Sequence, residues 1–307
     1  KEGLMNAEDK AMLTKIVENK ILNDINNAHS FLAKMMFYDI KIWYYSNAVK
    51  NHTTAYEYSV KKIELLETNT FVLKSSPLTY MSVYANHYIR TYALGKIDEL
   101  PNVIAKIDLI ANSKSPFISQ DIKNEAFSHS SEKILDYCVA TLDFTNGVRY
   151  FMLNKKRMKQ QNFKLNAFFY MTQHYFVAYF YFHLKEYKNA IKHIKITLDD
   201  FKPETRLLTY MCAKMLNILI QFELNNFELI PYLLKSTERL LKLNQIEYQS
   251  FFLTDALLKK ITPTTSKKEK KDLFANYISQ LNNLTDTSDI AFANDIGLFF
   301  WAQGKLK

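Results

Sequence analysis

The chain has 307 residues, 48% of them hydrophobic, and a formal net charge of +9. Five glycines and six prolines are too few for short strands joined by tight turns, so we predict an all-α protein with a sizeable core. The two cysteines, Cys138 and Cys212, lie in apolar helical stretches and give no indication of a disulfide framework, which fits a reducing, cytoplasmic setting.

In the first half of the chain, apolar residues recur at helical spacing between polar turns. Asn6 is predicted to cap the first helix. Ser76 and Pro77 are predicted to begin a later helix, because serine caps helices and proline is favoured at their first position. The turn Leu94-Gly-Lys-Ile97 closes that helix. The helices predicted here cover residues 6–22, 28–48, 54–67, 77–93, a return helix around 100–107, 120–142 and 148–160.

The stretch 168–203 is the clearest hairpin. Its first helix, 168–183, is apolar nearly all round and is too short for a membrane span, so burial between other helices is predicted. Its second helix has one apolar face, with lysines on the other side, and Pro203 ends it.

The C-terminal third continues the same plan. Helices are predicted over 204–223, 246–261, 267–281 and 290–301, with a return helix after the turn at 224–227. Ser266 and Glu269 form the pattern of a capping box. The turns centre near residues 51, 97, 145, 187 and 227, a spacing of about 40 to 48 residues that is typical of helical repeats.

Ala178, Tyr181, the turn 184–187, Ala190 and Ile194 resemble the small–aromatic–turn–small pattern of a tetratricopeptide repeat. Ile194 departs from that pattern, since an aromatic residue is usual at its position. The resemblance implies one α-α superhelix over residues 1–307, a solenoid of about five to six irregular hairpins with a concave inner surface.

The segments 80–104 and 168–261 resemble a family of tetratricopeptide-like helical proteins found in Bacteroidetes, whose function is unassigned. The resemblance implies a bacterial cytoplasmic protein and supplies no catalytic residue. It also implies a further N-terminal region, and since the sequence begins at Lys1 rather than methionine, we expect it to be a fragment.

No motif of a metal site, phosphate loop or nucleophile elbow occurs, so no metal, cofactor or catalytic residue is predicted. His174 and His183 are nine residues apart on one helix and are predicted to point to opposite sides. An enzyme with an unrecognised site is the third hypothesis on function.

The leading hypothesis is a non-catalytic scaffold that binds a peptide or protein partner in its groove. In tetratricopeptide-like repeats the first helix of each hairpin lines the groove, and tyrosine offers a large contact area with a polar tip. The alternative is that these side chains pack against neighbouring helices or that the chain itself fills the groove. The predicted partner-binding stripe comprises Thr172, Tyr175, Tyr179 and His183.

The second hypothesis is the sensor region of a nucleic-acid-associated regulator whose N-terminal part is missing. Its support is a basic patch without acidic residues, which could contact phosphates or could be a solvated helix face. The patch comprises Lys155, Lys156, Arg157 and Lys159. Nucleic acid is therefore a possible partner, but not the favoured one.

Overall fold

The structure, a computed structural model, describes residues 7–19, 22–69, 71–264 and 266–306, with side chains from residue 11 onward. Across these ranges the chain forms sixteen α-helices and no strand. The predicted cap Asn6 lies outside the described residues. The helices are α1 Ala7–Val17, α2 Phe31–Trp43, α3 His52–Glu67, α4 Phe71–Ser75, α5 Pro77–Ala93, α6 Leu100–Ala111, α7 Gln120–Ala140, α8 Phe144–Gln161, α9 Ala167–His183, α10 Tyr187–Asp199, α11 Leu207–Glu223, α12 Ile230–Leu243, α13 Gln249–Ile261, α14 Lys267–Asn282, α15 Thr287–Ile296 and α16 Leu298–Gly304.

The all-α prediction is confirmed, and most helices lie where the spacing placed them. The C-terminal helix predicted over 290–301 is instead two helices, because Gly297 adopts a left-handed conformation with φ of 75° and ends α15. The predicted first helix ends at Val17 rather than near residue 22. Within the described residues no helix has both the length and the apolarity to cross a bilayer.

The chain forms two compact units. The first comprises Lys1–Thr141 and Asn154–Lys164, and the second comprises Leu142–Leu153 and Leu165–Lys307, so helix α8 contributes to both. In the first unit successive helices pack as neighbours: α2 on α3, α3 on α5, α5 on α6 and α6 on α7. The prediction of one continuous solenoid over residues 1–307 stays a prediction.

The second unit has the same neighbour-on-neighbour packing. Helix α9 packs on α10, α10 on α11 and α11 on α12, whereas α15 packs on both α11 and α13. Its core is strongly apolar, and several of its large side chains are fully buried. These are Met171, Phe180, Met215, Leu219, Phe251, Phe292 and Leu298.

Four of the helix–turn–helix junctions share one backbone motif. In the turns predicted at 94–97, 184–187 and 224–227, the residue after the helix cap has positive φ: Gly95 at 67°, Lys185 at 62° and Asn225 at 59°. Its amide donates to the carbonyl three residues back, and the next amide donates to the carbonyl five residues back. This is the Schellman motif, which satisfies the last carbonyls of a helix. The turn at Gln245, with φ of 55°, repeats it.

Candidate functional site

The predicted partner-binding stripe lies on one face of α9, but the chain's own C-terminal segment covers it. Tyr175 and Tyr179 are 5% and 3% exposed, and the Tyr175 hydroxyl donates to the backbone carbonyl of Asp295 at 2.6 Å. A Cβ atom placed on Gly297 would lie 2.8 Å from the Tyr179 hydroxyl oxygen and 2.6 Å from His183 Nε2. Side chains that touch a backbone this closely are not presented to a partner.

Thr172 at the start of the stripe is also engaged within the chain. Its hydroxyl donates to the carbonyl of Phe168 at 2.8 Å and accepts from Arg206 Nη1 at 2.8 Å. The structure therefore brings the four stripe residues onto one face, as the spacing predicted, and places α15 and α16 against the last three. Their role in partner binding stays a prediction.

The basic patch on the second half of α8 divides into two kinds of residue. Lys155, Lys156 and Lys159 are exposed. Arg157 is half-buried, and its Nη2 donates to Asp108 Oδ1 at 2.9 Å while the guanidinium lies 5.0 Å from the centre of the Phe127 ring. Three lysines therefore remain as a solvated positive face, whereas the arginine holds neighbouring helices together.

A pair of histidines that the sequence analysis did not connect lies in the second unit. His174 and His193 bring their Nδ1 atoms within 2.9 Å of each other, and both rings meet Phe151 edge-on. Nowhere in the described part of the chain do three His, Cys, Asp or Glu side chains converge as metal ligands would. The pair is part of the aromatic packing of α9 and α10.

The first unit contains a cavity of about 540 Å³ between α1, α2, α3 and α5. Helical spacing explains how four helices can line it, since each contributes side chains three or four residues apart. Helix α5 contributes Val83, His87 and Arg90 at steps of four and three, and Asn86 lies one turn before Arg90. The lining is completed by Leu13, Ile16, Asp39, Ile40, Ile42, Trp43, Ser59 and Lys62.

The cavity combines apolar walls with charged groups. Lys62 is 8% exposed at its side chain and forms an ion pair with Asp39, whose side chain is 57% exposed. Asp39 is the carboxylate that lines the cavity, and Lys62 neutralises it. Among the described lining residues, Arg90 is then left as a cation without a countercharge. Burial lowers the pKa of its guanidinium, which nevertheless stays charged because arginine titrates far above neutral pH.

Arg90 also has an unsatisfied donor. Its buried Nε has no hydrogen-bond acceptor among the described residues. Leaving a buried donor of a charged group unpaired costs about 1–3 kcal/mol or more, so the atom calls for an explanation. An acceptor on a bound molecule would remove this cost.

The hydrogen bonds of His87 determine which of its nitrogens carries the proton. The Ser59 hydroxyl has one hydrogen, and it donates it to the carbonyl of Tyr56 at 2.7 Å. The 2.8 Å contact between Ser59 Oγ and His87 Nδ1 therefore has the histidine as donor. Burial lowers the pKa of His87, which favours the neutral ring. Its Nε2 is consequently a hydrogen-bond acceptor in a wall of the cavity.

The sequence contained a signal for this cavity that the pattern analysis did not use. The helical spacing of Tyr56, Val60, Ile63 and Leu66 predicts that they form the buried face of α3. The buried face is instead Ala55, Ser59, Lys62 and Leu66. A serine and a lysine at helical spacing on α3 were the available indication of a polar cavity.

No protein-family model and no curated protein matches the chain. The assignment of function consequently depends on the geometry of the described residues.

Proposed function

We propose that the protein is a non-catalytic binding module, a tetratricopeptide-like solenoid of the cytoplasm, and that it holds a peptide or protein partner in the cleft of its first unit. The repeated Schellman turns and the sequential packing of hairpins support the solenoid. The cleft, defined by the cavity lining and the adjoining exposed face of α2, replaces the tyrosine stripe as the preferred surface.

The observation that carries this proposal is the apolar face that leads into the cavity. On α2, Leu32, Met36 and Trp43 are 66%, 58% and 47% exposed and lie at steps of four and seven, on one side of the helix. Ile16 of α1, 43% exposed, lines the same cavity as Trp43. Exposed apolar side chains on one helix face beside a concave site are typical of an interaction surface.

Energetics disfavour the stripe on α9 as the partner site. A partner there would have to displace α15 and α16, which would expose four of their side chains that are at most 5% exposed. At about 1.5–3 kcal/mol for each buried side chain, displacement would cost roughly 6–12 kcal/mol. This cost is about equal to the whole stability of a typical domain, so a partner could occupy the stripe only if the domain unfolded. The four side chains are Phe292, Ile296, Leu298 and Trp301.

A peptide library displayed on phage and selected on the immobilised chain tests the proposal. We expect families of peptides with apolar residues at helical spacing, whose binding falls at least tenfold when Met36→Ser and Trp43→Ser are combined. Tyr232→Ser is the matched control, because Tyr232 is 76% exposed on α12 in the second unit. Peptides that bind the cleft variant and the wild type equally well, or a selection that enriches no peptide, would contradict the proposal.

A further inference from the structure

We infer that the cavity of the first unit is a carboxylate-binding site: Arg90 holds a carboxylate, His87 accepts a hydrogen bond from a donor on the same ligand, and Trp43 with the aliphatic side chains covers the ligand's apolar body. The inference deepens the proposed function by naming the chemical group that enters the cleft. It needs only the cavity, so it would stand even if no protein partner exists.

Charge complementarity is the first argument. The cavity holds two cations and one carboxylate, and the carboxylate of Asp39 is engaged by Lys62. The remaining charge is that of Arg90, and its planar guanidinium matches a carboxylate in shape as well as in sign. Asn86, four residues earlier on α5, lies on the same side of the helix and adds an amide donor to the lining.

The unpaired atom is the second argument. Arg90 Nε is buried and has no protein acceptor among the described residues, and a carboxylate oxygen is the strongest acceptor available to it. An uncharged acceptor would satisfy the donor but leave the charge of Arg90 uncompensated. The site therefore prefers an anion over a neutral polar group.

Size and polarity of the walls are the third argument. About 540 Å³ is enough for a molecule much larger than an inorganic anion, and half of the lining is apolar. A phosphate or sulfate would leave those walls uncovered, whereas an aromatic or branched acid would cover them. Because His87 presents a bare Nε2 acceptor, an added N–H or O–H on the ligand would gain a further hydrogen bond.

Two sources can supply this chemistry: a free organic acid, or the terminal carboxylate of a peptide partner. The experiment uses the full chain and fluorine NMR titrations with two aromatic acids, 4-fluorophenylacetate and 5-fluoroindole-3-acetate, and with their primary amides. A short peptide ending in 4-fluorophenylalanine is titrated with its terminus free and amidated. Tighter binding of the acids than of the peptide would indicate a free metabolite, and the reverse would indicate a peptide terminus.

We expect at least one of the acids or the free-terminus peptide to bind about tenfold or more tightly than its amide, as a charge-assisted hydrogen bond implies. Arg90→Met should remove that preference, whereas Arg149→Gln, which deletes an exposed arginine of the second unit, should retain it. Equal affinity of acid and amide, unchanged binding by Arg90→Met, or no binding by any probe would overturn the inference.

A structural role for Arg90 makes a different prediction about stability. If the arginine served the fold, Arg90→Met would lower the melting temperature of the ligand-free protein. Because its Nε lacks a protein acceptor, we expect the variant to melt at the wild-type temperature or above it. If free acids bind while the phage selection enriches no peptide, the carboxylate site is supported and the proposal of a protein partner is rejected.

Discussion

His183 should make the second unit sensitive to acid. Its ring stacks on Phe144 at 4.9 Å between centroids and meets Phe300 edge-on at 4.9 Å, and its buried Nε2 has no hydrogen-bond partner in the described part of the chain. Gly297 packs against that nitrogen so closely that a Cβ atom there would clash. Burial lowers the pKa of His183 from 6.5 to about 3, because this environment cannot solvate an imidazolium.

The sign and size of the effect follow from linkage between protonation and folding. The depressed pKa means that, between 6.5 and about 3, the unfolded chain binds a proton that the folded chain does not. The free energy of unfolding therefore falls as the pH falls through this window. At about 1.4 kcal/mol for each pH unit below the unfolded pKa, acidification from pH 7.5 to pH 5 should cost about 2 kcal/mol.

Urea unfolding of the wild type and of His183→Leu at these two pH values measures this contribution. In a Trp43→Phe background the fluorescence of Trp301 reports on the second unit alone, since the chain has two tryptophans. The loss of stability on acidification should be about 2 kcal/mol smaller in His183→Leu. The exposed His52, replaced by glutamine, provides the control. If His183→Leu lost as much stability as the wild type, the argument from burial would be refuted.

Three further outcomes follow from the packing of buried residues. Gly147→Ala should destabilise by about 1–3 kcal/mol in urea unfolding, since the new Cβ would lie 2.5 Å from the Phe180 ring; an unchanged midpoint would contradict this packing. Asp289→Ala should lower the free energy of unfolding by about 2–4 kcal/mol, because the buried carboxylate accepts hydrogen bonds from both the backbone amide and the hydroxyl of Ser250 near the start of α13. Asp289→Asn should recover part of that loss, and equal losses in the two variants would refute a role for the carboxylate oxygens as acceptors. Both cysteines are buried, and burial raises the pKa of Cys212 well above its usual range. Neither cysteine should therefore react with a thiol reagent in the native protein, which mass spectrometry would measure, and rapid labelling would contradict the packing.

The helices and their turns could be predicted because the forces that form them are local. The apolar spacing of α9 to α12 and the repeated junctions depend on residues a few positions apart. The turns at Lys185 and Asn225 were predicted as copies of the turn at Gly95, and all three residues are left-handed in the structure. Gly297 also ends a helix in a left-handed conformation, but the apolar residues on both sides of it predict one continuous helix over 290–301.

Burial of the stripe by the chain itself was one of two alternatives that the sequence left open, and it could not be chosen because the contact that covers the stripe is distant in sequence. Tyr175 meets the backbone of Asp295 across 120 positions. The spacing of the stripe correctly identified one face of α9, yet a helix face that binds a partner and a helix face that packs against the chain's own C-terminal segment have the same composition. Only the path of the chain after α14 distinguishes them, and no local pattern encodes that path.

Some polar residues lie on buried helix faces and so depart from the apolar pattern expected there. Their hydrogen-bond and ion-pair partners distinguish structural roles from functional ones. In the second unit, Asp289 on a buried face is satisfied by Ser250, so it serves the fold. In the first unit, Lys62 is satisfied by Asp39, whereas the described residues offer Arg90 on the facing helix neither an acceptor for its Nε nor a countercharge in the cavity. A chain under selection for stability alone could place an apolar residue at that position at no cost to the core. The retained arginine is explained when the missing acceptor belongs to a ligand, and for this reason we place the function of the protein in its first unit.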